Sequence, residues 1–194
     1  MAQGELMAEG GWKRGRIVER FDGKILDIKR IECESAAGKK GIFTSVASRD
    51  WAIVVPIVEI DGVQFCVMVR QYRHGADAFY IEFPGGIIEE GEEPAIGVGR
   101  ELEEETGWKA GRIISAGRVS PNPAFLENGF HVFVATDLVH HGNTDFDEHE
   151  EIETLIVPLS EVRERMGTGE YANAMMVTGL FLAERKLKGQ AAIQ

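Results

Sequence analysis

Cysteine is scarce in this chain: Cys33 and Cys66 are the only two in 194 residues, too few for a disulfide framework. Both fall in strand-like apolar stretches, where a thiol usually serves as a small buried hydrophobe. Long apolar runs are missing as well. The longest, Trp51 to Val58, is far too short to span a bilayer and contains Pro56. Met1 to Gly11 is small and polar, with no apolar core of the length a signal peptide requires. These absences predict a cytoplasmic protein with no membrane partner. Positive charge is also in deficit, with 21 Lys and Arg against 32 Asp and Glu, a net charge of −11. That excludes a nucleic-acid backbone as a general partner, because such binding needs a basic footprint. An acidic protein still handles anionic ligands when metal ions or a few arginines supply local positive charge.

What is present is ordinary for a globular protein: 44% hydrophobic and 27% charged residues. Alternating apolar and charged residues from Arg16 to Ser35 surround Asp22-Gly23, a hairpin signal. A turn at Gly38-Lys39-Lys40-Gly41 leads to a strand from Ile42 to Ala47. Residues 1–45 therefore read as a small antiparallel β-sheet segment that joins two copies of the chain, since a few strands cannot bury their apolar face alone. Residues 46–190 read as the main domain. Trp51 to Ile60 and Val63 to Gln71 are nearly continuous in apolar residues around Asp61-Gly62, as in central strands covered on both faces. Phe79 to Phe83 is a further strand, broken by Pro84-Gly85-Gly86. A helix is predicted over Pro94 to Thr106, with Pro94 in its first turn and Gly107 in the left-handed position past its end. Strands follow near Arg112 to Val119, Gly129 to Ala135 and Ile152 to Leu159. The acidic stretch His140 to Glu151 reads as a loop, Ser160 as the cap of a short helix to Met166, and Ala172 to Leu187 as a last helix. Strands mixed with helices imply a layered α/β domain.

The predicted helix carries Glu101, Glu104 and Glu105 at i, i+3 and i+4, which puts three carboxylates on one face. Like charges at that spacing repel, and an arbitrary cluster of this kind is a solvated surface. Two further features argue for a purpose. Gly97 and Gly99 interrupt the helix, each at a cost of about 1 kcal/mol relative to Ala, which suits close approach of another element. Arg100 stands eight residues after Glu92 and four before Glu104, placed to pair across the loop–helix junction and orient the carboxylates. Hard divalent cations would let the three acids coexist.

From Gly86 onward the order is Gly, five residues, Glu92, seven residues, then Arg100-Glu101-Leu102, Glu104-Glu105 and Gly107. This resembles the Nudix box at every position except the last, where Trp108 replaces an aliphatic residue. Arg70-Gln71-Tyr72-Arg73, then Glu82-Phe83-Pro84-Gly85-Gly86, is similar to the lead-in of the ADP-ribose pyrophosphatase branch of that family. Pro123 beyond the box and Asp147-Glu148-His149-Glu150-Glu151-Ile152 also resemble that branch. Departures are Gly85 in place of the usual Ala, and Ser120-Pro121-Asn122-Pro123-Ala124-Phe125 in place of a shorter Ser-Pro-Gly.

The resemblance implies a Nudix α/β/α sandwich with a mixed β-sheet, preceded by a small antiparallel sheet used for homodimerisation. It implies a metal-dependent hydrolase that cuts the pyrophosphate of a nucleoside-diphosphate compound, with ADP-ribose giving AMP and ribose 5-phosphate. The alternatives are a hydrolase of GDP- or UDP-sugars and a non-catalytic nucleotide-binding module of the same fold. Mg2+, or Mn2+ in its place, would be held by Glu101, Glu104, Glu105, Glu150 and the carbonyl of Gly85. Glu148 would take the proton of the attacking water, with Glu105 or Glu104 as the alternative base and Arg100 orienting the acids. Arg49 and Arg73 are candidates for the phosphates or ribose, and Trp51 or Phe125, with Pro123, for the base. Each of those arginines is otherwise an ordinary surface charge, and each aromatic an ordinary packing residue. The five histidines show no zinc-ligand spacing. The stretch from Asn143 fails as a calcium loop, because Glu148 replaces the required glycine and Thr154 the final glutamate.

Overall fold

The computed structural model describes residues 11–142, 144–146 and 151–191. It divides into two compact units, one of residues up to 49 together with 120–128, the other of 50–119 and 129 onward.

The smaller unit is a three-stranded antiparallel sheet, β1 (Trp12–Asp22), β2 (Asp27–Ser35) and β3 (Lys40–Ala47), in that order. Asp22 pairs with Asp27, so Asp22-Gly23 does not form a two-residue turn but opens a four-residue loop. Its backbone closes through Gly23 N–H to the Leu26 carbonyl at 3.1 Å. A Cβ on Gly23 would lie 2.3 Å from that same oxygen, so glycine is required there. The 120–128 segment joins the end of β3, where Val46 donates to the Phe125 carbonyl (2.7 Å) and accepts from Glu127 N–H (3.0 Å).

The larger unit is built on a seven-stranded mixed sheet: β4 (Trp51–Ile60), β5 (Val63–Arg73), β6 (Ala78–Glu82), β7 (Gly85–Ile87), β8 (Trp108–Val119), β9 (Phe130–His140) and β10 (Ile152–Pro158). Among the described residues the main order is β10-β5-β4-β9-β8, with β6 on β5 and β7 on β4; β4 and β9 run parallel and the other pairs antiparallel. Asp61 and Gly62, at φ 51° and 78°, make the tight β4–β5 turn. Among the described residues, the helices α1 (Pro94–Thr106), α2 (Leu159–Arg165) and α3 (Ala174–Ala191), with a short 3-10 turn at Gly169–Tyr171, complete the unit.

Alternation along β4 distributes its side chains to two cores. Ala52 and Val54 pack with Val98 and Leu102 of α1 and with Phe133 and Ala135. Ile53, Val55 and Ile57 pack with Met68, Phe83, Met176, Leu180 and Ala183 on the other face. This is the expected sandwich of helices about a mixed sheet. It explains why β4 is apolar along most of its length: both of its faces are covered. Of the described helices, none is long and apolar enough to cross a membrane.

Several boundaries differ from the sequence reading, each for a physical reason. Pro84-Gly85-Gly86 ends β6 as expected but also begins β7, which pairs Gly85–Ile87 with Trp51–Ile53. Gly85, at φ 151°, lies so close to β4 that a Cβ would be 2.2 Å from the Ala52 carbonyl. β8 starts at Trp108 and β9 continues to His140, because the two strands keep pairing beyond their apolar stretch (Trp108 against His140). Ser160 is not the cap of α2; Pro158 holds that place without a side-chain hydrogen bond, its ring having already set the entry angle. The acidic stretch after His140 has neither helix nor strand where it is described.

Candidate active site

The site begins with the way α1 is attached. Pro94 occupies its first turn, Gly107 closes it in the left-handed conformation at φ 69°, and Gly107 N–H caps the Glu103 carbonyl at 2.8 Å. Val98 and Leu102 are completely buried against β4, which fixes the rotation of the helix. Glu105, two turns after Val98 and on the same buried side, then reaches the β6–β7 corner at Gly85, and Glu101 lies against Gly86, while Glu104 pairs with Arg100. The helix glycines have their explanation in close approach. A Cβ on Gly97 would lie 2.6 Å from the Glu92 carboxylate, and one on Gly99 would lie 3.0 Å from the Ile113 side chain.

Two backbone glycines receive the acids. Gly85 N–H donates to Glu105 Oε2 at 3.0 Å, and Glu105 is only 4% exposed. Gly86 lies against Glu101, whose carboxyl group would be 2.9 Å from any added Cβ. Arg100 ties the acids together. Its Nε and Nη2 reach Glu92 at 3.3 and 3.5 Å, Nη2 reaches Glu101 at 2.9 Å, and Nη1 reaches Glu104 at 2.7 Å. The hydrogen bond from Arg100 holds the Glu92 carboxyl below the usual glutamate range, against the opposing effect of burial. Burial works against the Arg100 charge, but the bond to Glu92 and the charges of Glu101 and Glu104 outweigh it and raise its pKa.

The loop leading into α1 is anchored by Asp50. Its carbonyl accepts Ile88 N–H at 2.9 Å, while its carboxylate accepts Gly129 N–H at 2.6 Å, Arg118 Nη2 at 3.1 Å and a ring contact from His131 Nε2 at 2.9 Å. Burial raises the Asp50 pKa; the Gly129, His131 and Arg118 contacts more than offset this and keep it low.

A cavity of about 330 Å³ opens beside the two glycines. Trp51, Arg73, Phe83, Gly85, Gly86 and Met175 are among its walls. The larger unit thus brings Trp51, Arg73 and Gly85 around one space, bordered by the glycines that receive Glu101 and Glu105. Trp51 is half-buried against the core and still lines the cavity. Arg73 is not a loose surface charge: its Nε donates to Glu82 at 2.9 Å, and Nη2 also bonds that carboxylate. Arg49, Pro123 and Phe125 belong to the smaller unit. Arg49 is exposed, and Pro123 and Phe125 line a groove of about 550 Å³ with Trp12 and Phe43. Phe125 is 46% exposed and so is not a core residue. Glu148 and Glu150 lie outside the described residues. Cys66 is buried, which pushes its thiol pKa up to about 12 and makes it inert; Cys33 is part-exposed, and both are unpaired thiols.

Glu82 and Asn173 carried no assigned role in the sequence. Glu82 is completely buried among charged and amide side chains, and Asn173 lines the cavity. The available signal was a lone glutamate inside the apolar run Phe79 to Phe83.

Whether these residues suit a divalent ion can be judged from their chemistry. Glu101, Glu104 and Glu105 offer oxygen donors only, the set preferred by Mg2+ and Mn2+. The Glu101 carboxylate lies against Gly86 so closely that a Cβ there, 2.9 Å from it, would displace it. Among the described residues, no three His, Cys, Asp or Glu side chains are drawn together as a closed ion cage. Three of the box carboxylates, Glu92, Glu101 and Glu104, are instead drawn to Arg100.

The family model for the NUDIX domain matches residues 49–176. The ADP compounds hydrolase NudE of Escherichia coli is 24% identical over 172 residues, 88% of this chain and 90% of that protein. The ADP-ribose pyrophosphatase of Bacillus subtilis is 31% identical over 155 residues, 79% of this chain and 82% of its own. A crystal structure of an ADP compounds hydrolase has a TM-score of 0.78 at 23% identity, covering 92% of this chain and 96% of that one, a likeness of fold. The matched family, the relatives and the glycine-cradled acidic helix agree: this chain belongs to the Nudix family and is one of its hydrolases.

Proposed function

We propose that this hydrolase cleaves the pyrophosphate of an ADP-linked compound, ADP-ribose first among them, to AMP and ribose 5-phosphate. The observation that carries the reading is the meeting of acids and cavity. Glu101 and Glu105 rest on Gly86 and Gly85, and the same two glycines form the wall of a space that also holds Trp51 and Arg73. The names of the relatives, an ADP-ribose pyrophosphatase and an ADP compounds hydrolase, support the nucleotide.

Glu101, Glu104, Glu105, the Gly85 carbonyl and Glu150 are the groups that would hold Mg2+, or Mn2+. When bound, such ions neutralise charge that develops on the phosphates and lower the pKa of a water molecule. The protein's own groups do the rest. Arg100 holds Glu92 and spreads its charge over Glu101 and Glu104, so the acids keep their places before substrate arrives. Arg73 supplies positive charge on the cavity wall, and Trp51 offers a ring face to the base or sugar. Glu148 takes one proton from water as its oxygen bonds to phosphorus; the P–O bond to the bridging oxygen breaks, and the proton is returned to the departing phosphate. Arg49 is a further candidate for the phosphates or ribose, and Phe125, with Pro123, for the base.

The chain works as a homodimer in this reading. The smaller unit leaves Trp12 (47%), Phe21 (67%), Ile25 (60%) and Phe43 (47%) exposed, apolar surface that a second copy would cover.

A substrate panel with products identified by mass spectrometry tests the assignment. AMP and ribose 5-phosphate from ADP-ribose, at higher kcat/KM than any product from GDP- or UDP-sugars, is the expected result. Turnover confined to GDP- or UDP-sugars would move the specificity to those substrates, and absence of turnover on the whole panel with Mg2+ or Mn2+ would overturn the reading.

A further inference from the structure

Glu82 is the most deeply buried acid described in this chain, with no exposed surface, and it lies outside the acidic face of α1. It sits on β6, three residues before Gly85. Every side chain that bonds it is a donor. Arg73 approaches one carboxylate oxygen, Oε2, through Nε at 2.9 Å and again through Nη2. Gln71 Nε2 reaches the same oxygen at 3.3 Å. The other oxygen, Oε1, accepts Asn173 Nδ2 at 2.6 Å.

These partners come from two sides of the cavity. Arg73 ends β5. Asn173 precedes α3, where its Oδ1 accepts Met175 N–H at 2.9 Å and its carbonyl accepts Met176 N–H at 3.1 Å. Arg73, Asn173, Met175 and Met176 all line the space beside Gly85 and Gly86. One buried carboxylate thus fastens an arginine on one wall and the start of a helix on the other. It also selects which edge of the guanidinium remains available. Nε and Nη2 are committed to Glu82, whereas Nη1 has no hydrogen bond to a protein group among the described residues. A guanidinium held by two of its nitrogens presents the third in a fixed direction, the geometry suited to a phosphate oxygen.

We propose that Glu82 is a positioning residue that sets the Arg73 guanidinium for the phosphates of a nucleoside diphosphate. The inference rests on the reading above, in which Arg73 contacts those phosphates. Glu82 acts only through Arg73. Substituting glutamine keeps the size but removes the charge and one of the two acceptor oxygens, so Arg73 and Asn173, both donors, cannot both be satisfied and the charge-assisted pairing with Arg73 is weakened.

The test is a double-mutant cycle read by binding of ADP, measured by calorimetry on the full-length protein in Mg2+. Wild type, Glu82→Gln, Arg73→Ala and the double variant are compared, with circular dichroism to establish folding. Each single substitution is expected to weaken ADP binding about 10-fold or more, and the double variant no more than about twofold beyond Arg73→Ala. Glu82→Asp, which keeps the charge and withdraws it by one methylene, serves if the glutamine variant does not fold; the same non-additive pattern is expected. Unchanged affinity in the Glu82 variants, full additivity with Arg73→Ala, or no binding of ADP by wild type would each overturn the proposal. A wild type that binds ADP with this coupling yet hydrolyses no nucleoside diphosphate would refute the proposed activity and leave the role of Glu82 standing.

Discussion

Two groups of carboxylates in the larger unit solve the same electrostatic problem in opposite ways. On α1 and the loop before it, one guanidinium is shared by three carboxylates, Glu92, Glu101 and Glu104. At Glu82, one carboxylate draws donors from three side chains, Arg73, Gln71 and Asn173. The second arrangement is saturated and serves as scaffold: an anion buried in the interior is tolerated only when it is paired and hydrogen-bonded. The first has more acid than base, which stores repulsion but leaves an attraction for cations. The contrast separates a site from its support better than exposure does, because Glu105 at 4% and Glu82 at 0% are both buried.

On that contrast, substitution on the α1 face costs activity without stability, whereas substitution in the Glu82 group costs stability as well as ADP binding. The largest effect is expected for Glu105→Gln, which keeps an acceptor for Gly85 N–H but removes a charge: kcat falls by on the order of 10²–10³-fold while Tm is unchanged or rises. Kinetics on the best substrate of the panel together with a thermal melt measure both, and full turnover would break the comparison. Removing divalent ions with EDTA should abolish activity of the wild type and be reversed by excess Mg2+. Next is Gly86→Ala, whose Cβ would meet the Glu101 carboxyl group at 2.9 Å. The displaced carboxylate should raise the Mg2+ concentration needed for half-maximal rate by about 10-fold, read from a metal titration of the rate.

Asn173→Ala probes the saturated group. It takes away the 2.6 Å donor of Glu82 and the cap of Met175 N–H. A loss of about 2 kcal/mol is expected in denaturant unfolding; a loss under a few tenths would show that Glu82 does not need its full set of donors.

The smallest effect concerns a third carboxylate, in the smaller unit. Glu127 bonds Ser45, Arg14 and Lys29, which together overcome the upward push of burial and set its pKa at about 2. A depressed carboxylate pKa stabilises the fold above the unfolded value and loses that contribution as pH falls through the folded one. The Glu127 contribution is therefore complete above pH 4.5 and fades between 4.5 and about 2. In Glu127→Gln the slope of Tm against pH over that interval should be shallower than in wild type; equal slopes would assign the acid sensitivity elsewhere, with Glu92, depressed by Arg100, the first alternative.

Much of this was legible beforehand because it depends on local rules. The limits of α1 at Pro94 and Thr106 follow from proline, periodicity and the Gly107 stop, all within one stretch of chain. The shared face of Glu101, Glu104 and Glu105 follows from helical geometry. The two covered faces of β4 follow from its apolar run. The ends of β8 and β9 were not legible, since pairing between strands carries them past their hydrophobic stretch. Nor was β7, whose pairing depends on how closely Gly85 can approach Ala52.

The sequence by itself determined the family, the acidic helix and the residues on its working face, because those depend on spacing along one element. Only the tertiary structure decided what each charge meets. It showed that Arg100 serves three acids, that Arg73 is committed to Glu82, and that Gly97 makes room for Glu92. Such pairings join residues from different elements, and their energies depend on distance and burial, which appear only after the chain has folded.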